Sequence, residues 1–166
     1  MKKVLIAAFV AFSSTCLATE QPLEFPTKNG VFTISSTSAG SIYSDYDFLW
    51  NGVKIGPSTT LLDVSATQVF NPKTNKSQVV IVAANGGNAC ASTAAVATLS
   101  QEPAQLSPSL LFSGGFEGIT FNPETNILTL TGLDRDGLTI TYTIENEKIF
   151  ENGSPLKNPT PFLNGF

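Results

Sequence analysis

The sequence predicts an all-β fold: a single antiparallel β-sandwich or small barrel-like domain, built from hairpins and ending in a C-terminal meander. Three observations carry this. Only 13% of the residues are charged, and Ser, Thr, Asn and Gly fill positions where long surface helices would carry Lys, Glu or Arg. Apolar and polar residues alternate with a period of two in several segments, the signature of half-buried strands. Asn-Gly, Asp-Gly and Asn-Pro pairs punctuate those segments at hairpin spacing.

Each element follows from that reading. Val31-Phe32-Thr33-Ile34-Ser35 alternates and forms the first strand. Asp47 to Trp50 and Val53 to Ile55 flank Asn51-Gly52, whose two residues accept the positive φ angles of a type I′ hairpin turn. Leu61 to Phe70 and Gln78 to Ala84 are strands joined through Asn71-Pro72-Lys73-Thr74-Asn75. Val79 to Val82 is continuously apolar, as expected of a central strand covered on both faces. Asn85-Gly86-Gly87-Asn88 turns the chain into Ala89 to Leu99. That stretch is Ala-rich enough for a helix, but Thr93, Val96 and Thr98 favour a strand. Ile119 to Phe121, Ile127 to Thr131, Leu138 to Ile144 and Lys148 to Phe150 make a four-stranded meander. Leu138, Ile140, Tyr142 and Ile144 are expected on its buried side. Pro155, Pro159 and Pro161 make residues 152–166 an irregular or polyproline-like tail.

One sequence echo stands out. Phe70-Asn71-Pro72-Lys73-Thr74-Asn75 recurs as Phe121-Asn122-Pro123-Glu124-Thr125-Asn126, with five of six residues identical. Either a half-domain is duplicated, or a good turn is used twice. The flanks do not match, which favours the second.

The N-terminus reads as a secretory signal. Met1-Lys2-Lys3 is basic, Val4 to Phe12 is apolar, and Ser13 to Ala18 is small-residue rich, so cleavage is expected after Ala18. The apolar run is too short for a membrane span, which needs about 20 residues. The domain organisation predicted is therefore a signal peptide at 1–18, a β domain at 19–151 and the Pro-rich tail at 152–166. Localisation follows as periplasmic or secreted. Lipidation at Cys16 is the competing reading, but Ser13-Ser14-Thr15 is a poor match to the residues that precede a lipidated cysteine. After cleavage Cys90 is the only thiol, so no internal disulfide is available. The fold then rests on its core, which roughly 148 of the 166 residues suffice to build.

Composition also narrows the chemistry. Nine basic residues less Lys2 and Lys3 leave 7 against 13 acidic ones. No basic stripe exists for nucleic acid or an anionic membrane. There is no histidine, which removes the base of Ser-His-Asp and Cys-His hydrolysis. No glycine-rich phosphate cradle is present, and no cofactor is implied. Ser154-Pro155-Leu156-Lys157 has Ser-x-x-Lys spacing, but in a proline-rich tail. Asp134 and Asp136 are weak metal candidates: Asp134-Arg135-Asp136-Gly137 has a fragment of calcium-loop spacing but no downstream Glu, and Asp-Gly is a routine hairpin turn. Asp45, Asp47, Asp63 and Glu117 are the carboxylates from which a glycosidase pair would be drawn. No catalytic residues are assigned, and a non-enzyme is expected.

The partner-binding candidates are Tyr43, Asp45 and Asp47. On a strand, Tyr46, Phe48 and Trp50 share a core face, leaving Tyr43, Asp45 and Asp47 together on the other. The expected function is an exported module that docks a protein in the cell envelope, for example as an inhibitor or immunity-type protein. A structural or surface subunit, such as a fibre or adhesin component, is the alternative, followed by lectin-like glycan binding.

Overall fold

The computed structural model describes residues 21–37, 42–84 and 92–162. The expected signal peptide, Cys16, Cys90 and the Asn85–Asn88 turn lie outside the described residues. The fold is all-β, with three antiparallel sheets and no helix among those residues. None is therefore long and apolar enough to cross a membrane.

The first sheet holds β1 (Leu23–Thr27), β2 (Gly30–Ser36), β3 (Ser44–Trp50) and β4 (Val53–Lys54) in that order, with β5 (Thr59–Leu61) also paired to β3. The central sheet runs β10 (Leu110–Phe112), β8 (Ser92–Thr98), β7 (Lys76–Ala84), β6 (Asp63–Asn71), with β9 (Gln105–Leu106) on β8. The third sheet is β11 (Gly115–Asn122), β12 (Ile127–Leu133), β13 (Thr139–Glu145), β14 (Lys148–Glu151) and β15 (Ser154–Pro155).

The sheets stack in three layers, because the central one is apolar on both faces. Val79, Ile81 and Ala83 of β7 pack with Phe32, Ile34, Phe48 and Trp50 of the first sheet. Val80, on the opposite face of the same strand, packs with Leu128, Leu130, Ile140 and Tyr142 of the third. The continuous apolar run thus has the double burial that its lack of alternation implies. Strand β8 is buried along most of its length and built of small residues, which leaves room for large neighbours on either side. Phe112 fills one side, edge-on to Phe116 and Tyr142. Beneath its ring only a glycine fits at position 132, where a Cβ would lie 2.3 Å from the Phe112 ring and 2.4 Å from a backbone oxygen.

Several sequence expectations change in detail. Leu61 to Phe70 is not one strand. The chain breaks at Leu62, whose N–H bonds Ala84 O, and passes from the first sheet into the central one. Leu138 is 65% exposed and precedes β13, so it does not join Ile140, Tyr142 and Ile144 in the core. Its N–H is held instead by the Asp134 carboxylate of the preceding turn. The tail keeps much of the irregularity its prolines impose, but it is tied down. Ser154–Pro155 adds a rung to the third sheet, Ser109 bonds Thr160 O and Pro161 O, and Phe162 enters the core edge-on to Phe48 at 4.8 Å.

Candidate functional site

The outer face of the first sheet carries two of the sequence-predicted partner-binding residues, Asp45 and Asp47. Strand parity separates them from the core, with Tyr46, Phe48 and Trp50 buried and the residues between them partly exposed. Register then fixes their neighbours. Asp47 lies opposite Ser35 of β2, and Asp45 opposite Thr60 of β5.

The two carboxylates are held differently. Asp47 accepts a hydrogen bond from Ser58 Oγ at 2.6 Å and an ion pair from Lys54 at 2.8 Å, and Lys54 also donates to Ser58 Oγ. The Lys54 ammonium and the Ser58 hydroxyl together hold the Asp47 carboxyl below the usual aspartate range, against a smaller opposing effect of burial. Asp45 accepts from Thr60 Oγ1. The face is therefore less acidic than two aspartates suggest, because Lys54 compensates one of them. The hairpin register carries the signal for this: Leu49 pairs with Lys54, which places the lysine diagonal to Asp47.

Tyr43 is not on the strand. It sits in the bend before β3 and is 41% exposed, next to Ile42 at 77%. Leu62, 39% exposed, follows β5 next to the same last rung, Ser44 opposite Leu61. Ile42, Tyr43 and Leu62 thus form an apolar end to the face, with Asp45 and Asp47 behind them. Ile42 and Leu62 were missed in the sequence because nothing in it shows where β5 ends. The Asn51-Gly52 turn, with φ of 51° and 77°, closes the opposite end of β3. Its Asn51 side chain accepts from Val31 N–H at 2.9 Å, adding a side-chain rung between neighbouring strands.

The other candidates are dispersed. Asp134 Oδ1 accepts from the N–H groups of Asp136 and Leu138, both at 2.9 Å, so its carboxylate caps a turn. Among the described residues no three His, Cys, Asp or Glu side chains cluster as a metal site. Asp63 accepts from Val64 N–H at the start of β6, and Glu117 sits on β11. Those two carboxylates belong to the central and third sheets, and Asp45 and Asp47 to the first. Ser154 is on β15, and Lys157 follows it. The chain matches no family model, no curated protein and no solved structure.

Proposed function

We propose that the protein is an exported, non-enzymatic module that docks another protein through the outer face of its first sheet, as an envelope inhibitor or immunity-type protein would. The observation that supports this most is the apolar end formed by Ile42, Tyr43 and Leu62 beside two anchored carboxylates. Aromatic and aliphatic side chains flanked by fixed charge make interface anchors, since few rotamers are lost on binding. Export rests on the tripartite N-terminus. Mass spectrometry of the processed protein is expected to find Thr19 as the first residue. An intact Met1 or an acylated Cys16 would overturn it.

Docking is tested with a photo-crosslinking residue placed at position 43 or 62, and at the exposed Leu138 in the turn before β13 as control. One discrete adduct from the first two positions and none from the third is the expected result. With the partner purified, Tyr43→Ala is expected to weaken binding by about 1–3 kcal/mol. Asp45→Asn should slow association more than it speeds dissociation, and less so at high salt. Equal adducts from all three positions would place docking elsewhere.

A surface or fibre subunit is the second reading, and one feature favours it. Strand β6 is a nine-residue edge of the central sheet, DVSATQVFN, without the Lys, Arg or Pro that usually blunt an edge. Concentration-dependent assembly in sedimentation, lost on placing Lys at position 67, would support that reading over the first.

A further inference from the structure

A cleft opens between the β1–β2 turn and the β6–β7 turn, at the opposite end of the first sheet from Tyr43. We propose that it binds a single sugar ring, stacked on Phe70, with a carboxylated sugar preferred. The proposal is independent of protein docking at Tyr43.

The first support is Phe70 itself. In the echoed turn its counterpart Phe121 is half-buried against the core between the central and third sheets. Phe70 occupies the same turn position, yet is 52% exposed and lines the cleft. The turn does not need an exposed ring, and the core does not use this one. The second support is the polar lining. The side chains of Lys28, Asn29 and Asn75 border the cleft and make no hydrogen bond or ion pair among the described residues. Ser100 Oγ, also in the lining, is buried with no hydrogen-bond partner. Gln68, by contrast, is already committed to Ser77 Oγ and Pro26 O, and so braces the two layers around the opening.

An apolar ring face beside spare amides complements a pyranose, which has one face of C–H groups and a rim of hydroxyls. The volume, about 100 Å³, is far below that of a drug-sized pocket of about 300–1,000 Å³. It is too small to enclose a whole hexose, so it seats one face of one ring and leaves the rest of an oligosaccharide in solvent. Lys28 is the only cation in the lining. A lone ammonium suits one carboxylate, whereas a phosphorylated ligand calls for several donors converging on it.

The test is an amide-correlation NMR titration of the processed protein with tetragalacturonate and with chitotetraose. Saturable shifts at Asn29, Asn75 and Ser100 are expected with tetragalacturonate, at millimolar affinity, and weaker ones with chitotetraose. Phe70→Ala should weaken binding by about tenfold, and Phe70→Leu, which keeps the apolar bulk but not the ring, should do nearly the same. Lys28→Gln should remove the preference for the carboxylated sugar. The proposal is overturned if neither sugar gives saturable shifts up to about 20 mM. Shifts that persist unchanged in both Phe70 variants, or tighter binding of chitotetraose, overturn it as well.

Discussion

The two Asn-Pro-x-Thr-Asn turns share one local structure but sit in different surroundings. In each, the first Asn accepts two backbone N–H groups. Asn71 takes those of Lys73 and Thr74 at 2.9 and 3.4 Å, and Asn122 those of Glu124 and Thr125 at 2.9 and 3.3 Å. In each, the closing Asn is left-handed, with φ of 55° at Asn75 and 56° at Asn126. The difference lies in the other half of the first amide. Asn71 is 1% exposed, and its Nδ2 donates to Asn126 Oδ1 at 2.7 Å and to Pro123 O at 3.2 Å. Asn122 faces solvent. The echo is thus also a contact, in which the turn of the central sheet docks on the turn of the third. Nearly the same six-residue code makes a hairpin in both places, but only in the first does the leading Asn also reach across to the other layer.

The largest test of that difference keeps the turn and removes the tie. Asn71→Asp retains an oxygen for the two N–H groups but replaces the Nδ2 donor with a second acceptor. That acceptor then faces Asn126 Oδ1 and Pro123 O in a buried site. A buried carboxylate whose second oxygen faces two acceptors and meets no donor is expected to cost about 3–5 kcal/mol at pH 7. Its pKa should rise, so the loss shrinks as pH falls and the neutral acid donates its proton to Asn126. Asn122→Asp, exposed, should stay within about 0.5 kcal/mol of wild type. Urea unfolding of both variants at pH 7 and pH 4 reads the contrast. Equal losses would mean that the interlayer bond does not matter.

Truncation gives a smaller but cleaner version. Asn122→Ala removes one cap and should cost about 1 kcal/mol. Asn71→Ala removes the same cap and also leaves Asn126 and Pro123 O without their donor, so about 2–3 kcal/mol is expected. The excess of the second over the first measures the docking, and in an Asn126→Gly background, where the left-handed turn is kept, it should shrink to the part owed to Pro123 O.

That contrast also shows what a sequence of this kind reveals. The hairpins were legible because turn chemistry is local: Asn-Gly and Asn-Pro dictate φ wherever they stand. The core face of β3 was legible because period-two burial needs no knowledge of the partner. The docking of the two turns was not, since the second half of an Asn side chain can bond any neighbour, and the neighbour lies 55 residues away. Nor was the three-layer stack. The run at Val79 to Val82 says that both faces are covered, not by what. Phe162 hid in the tail for a related reason: prolines describe the backbone and are silent on where a ring lands. At the candidate site the outward parity of Asp45 and Asp47 was readable, but Lys54 and Ser58 reach Asp47 only through strand pairing.

A third comparison concerns Lys73 and Glu124, the one position at which the two echoed turns differ. They form an ion pair across the two layers, both side chains more than half exposed. The difference at that position makes the two turns complementary in charge. Screening by water keeps the gain small, and a double-mutant cycle of Lys73→Ala and Glu124→Ala is expected to show a coupling of about 0.2–1 kcal/mol that fades at high salt. The charge-reversed pair, Lys73→Glu with Glu124→Lys, should restore it. A coupling above that of the Asn71 bonds would mean that the exposed ion pair, not the buried amide, holds the two layers together.

The smallest effect is expected at Asp47, where an ion pair stays within one sheet instead of joining two. Lys54 and Ser58 lower the Asp47 pKa in the folded state, while the unfolded chain has the ordinary aspartate value of about 3.9. Folding therefore favours the charged form. The stabilisation is complete above about pH 5 and is lost as pH falls through the depressed folded-state pKa. The side chains remain 24% and 44% exposed at Asp47 and Lys54, so solvent discounts the gain heavily. Unfolding curves of wild type and Asp47→Asn should be separated slightly and constantly between pH 5 and 8. They should converge toward pH 2, and Lys54→Gln should remove most of the separation. Convergence on raising the pH instead would mean that the Asp47 carboxyl is raised on folding, and the Lys54–Ser58 anchor would then not be what holds this face.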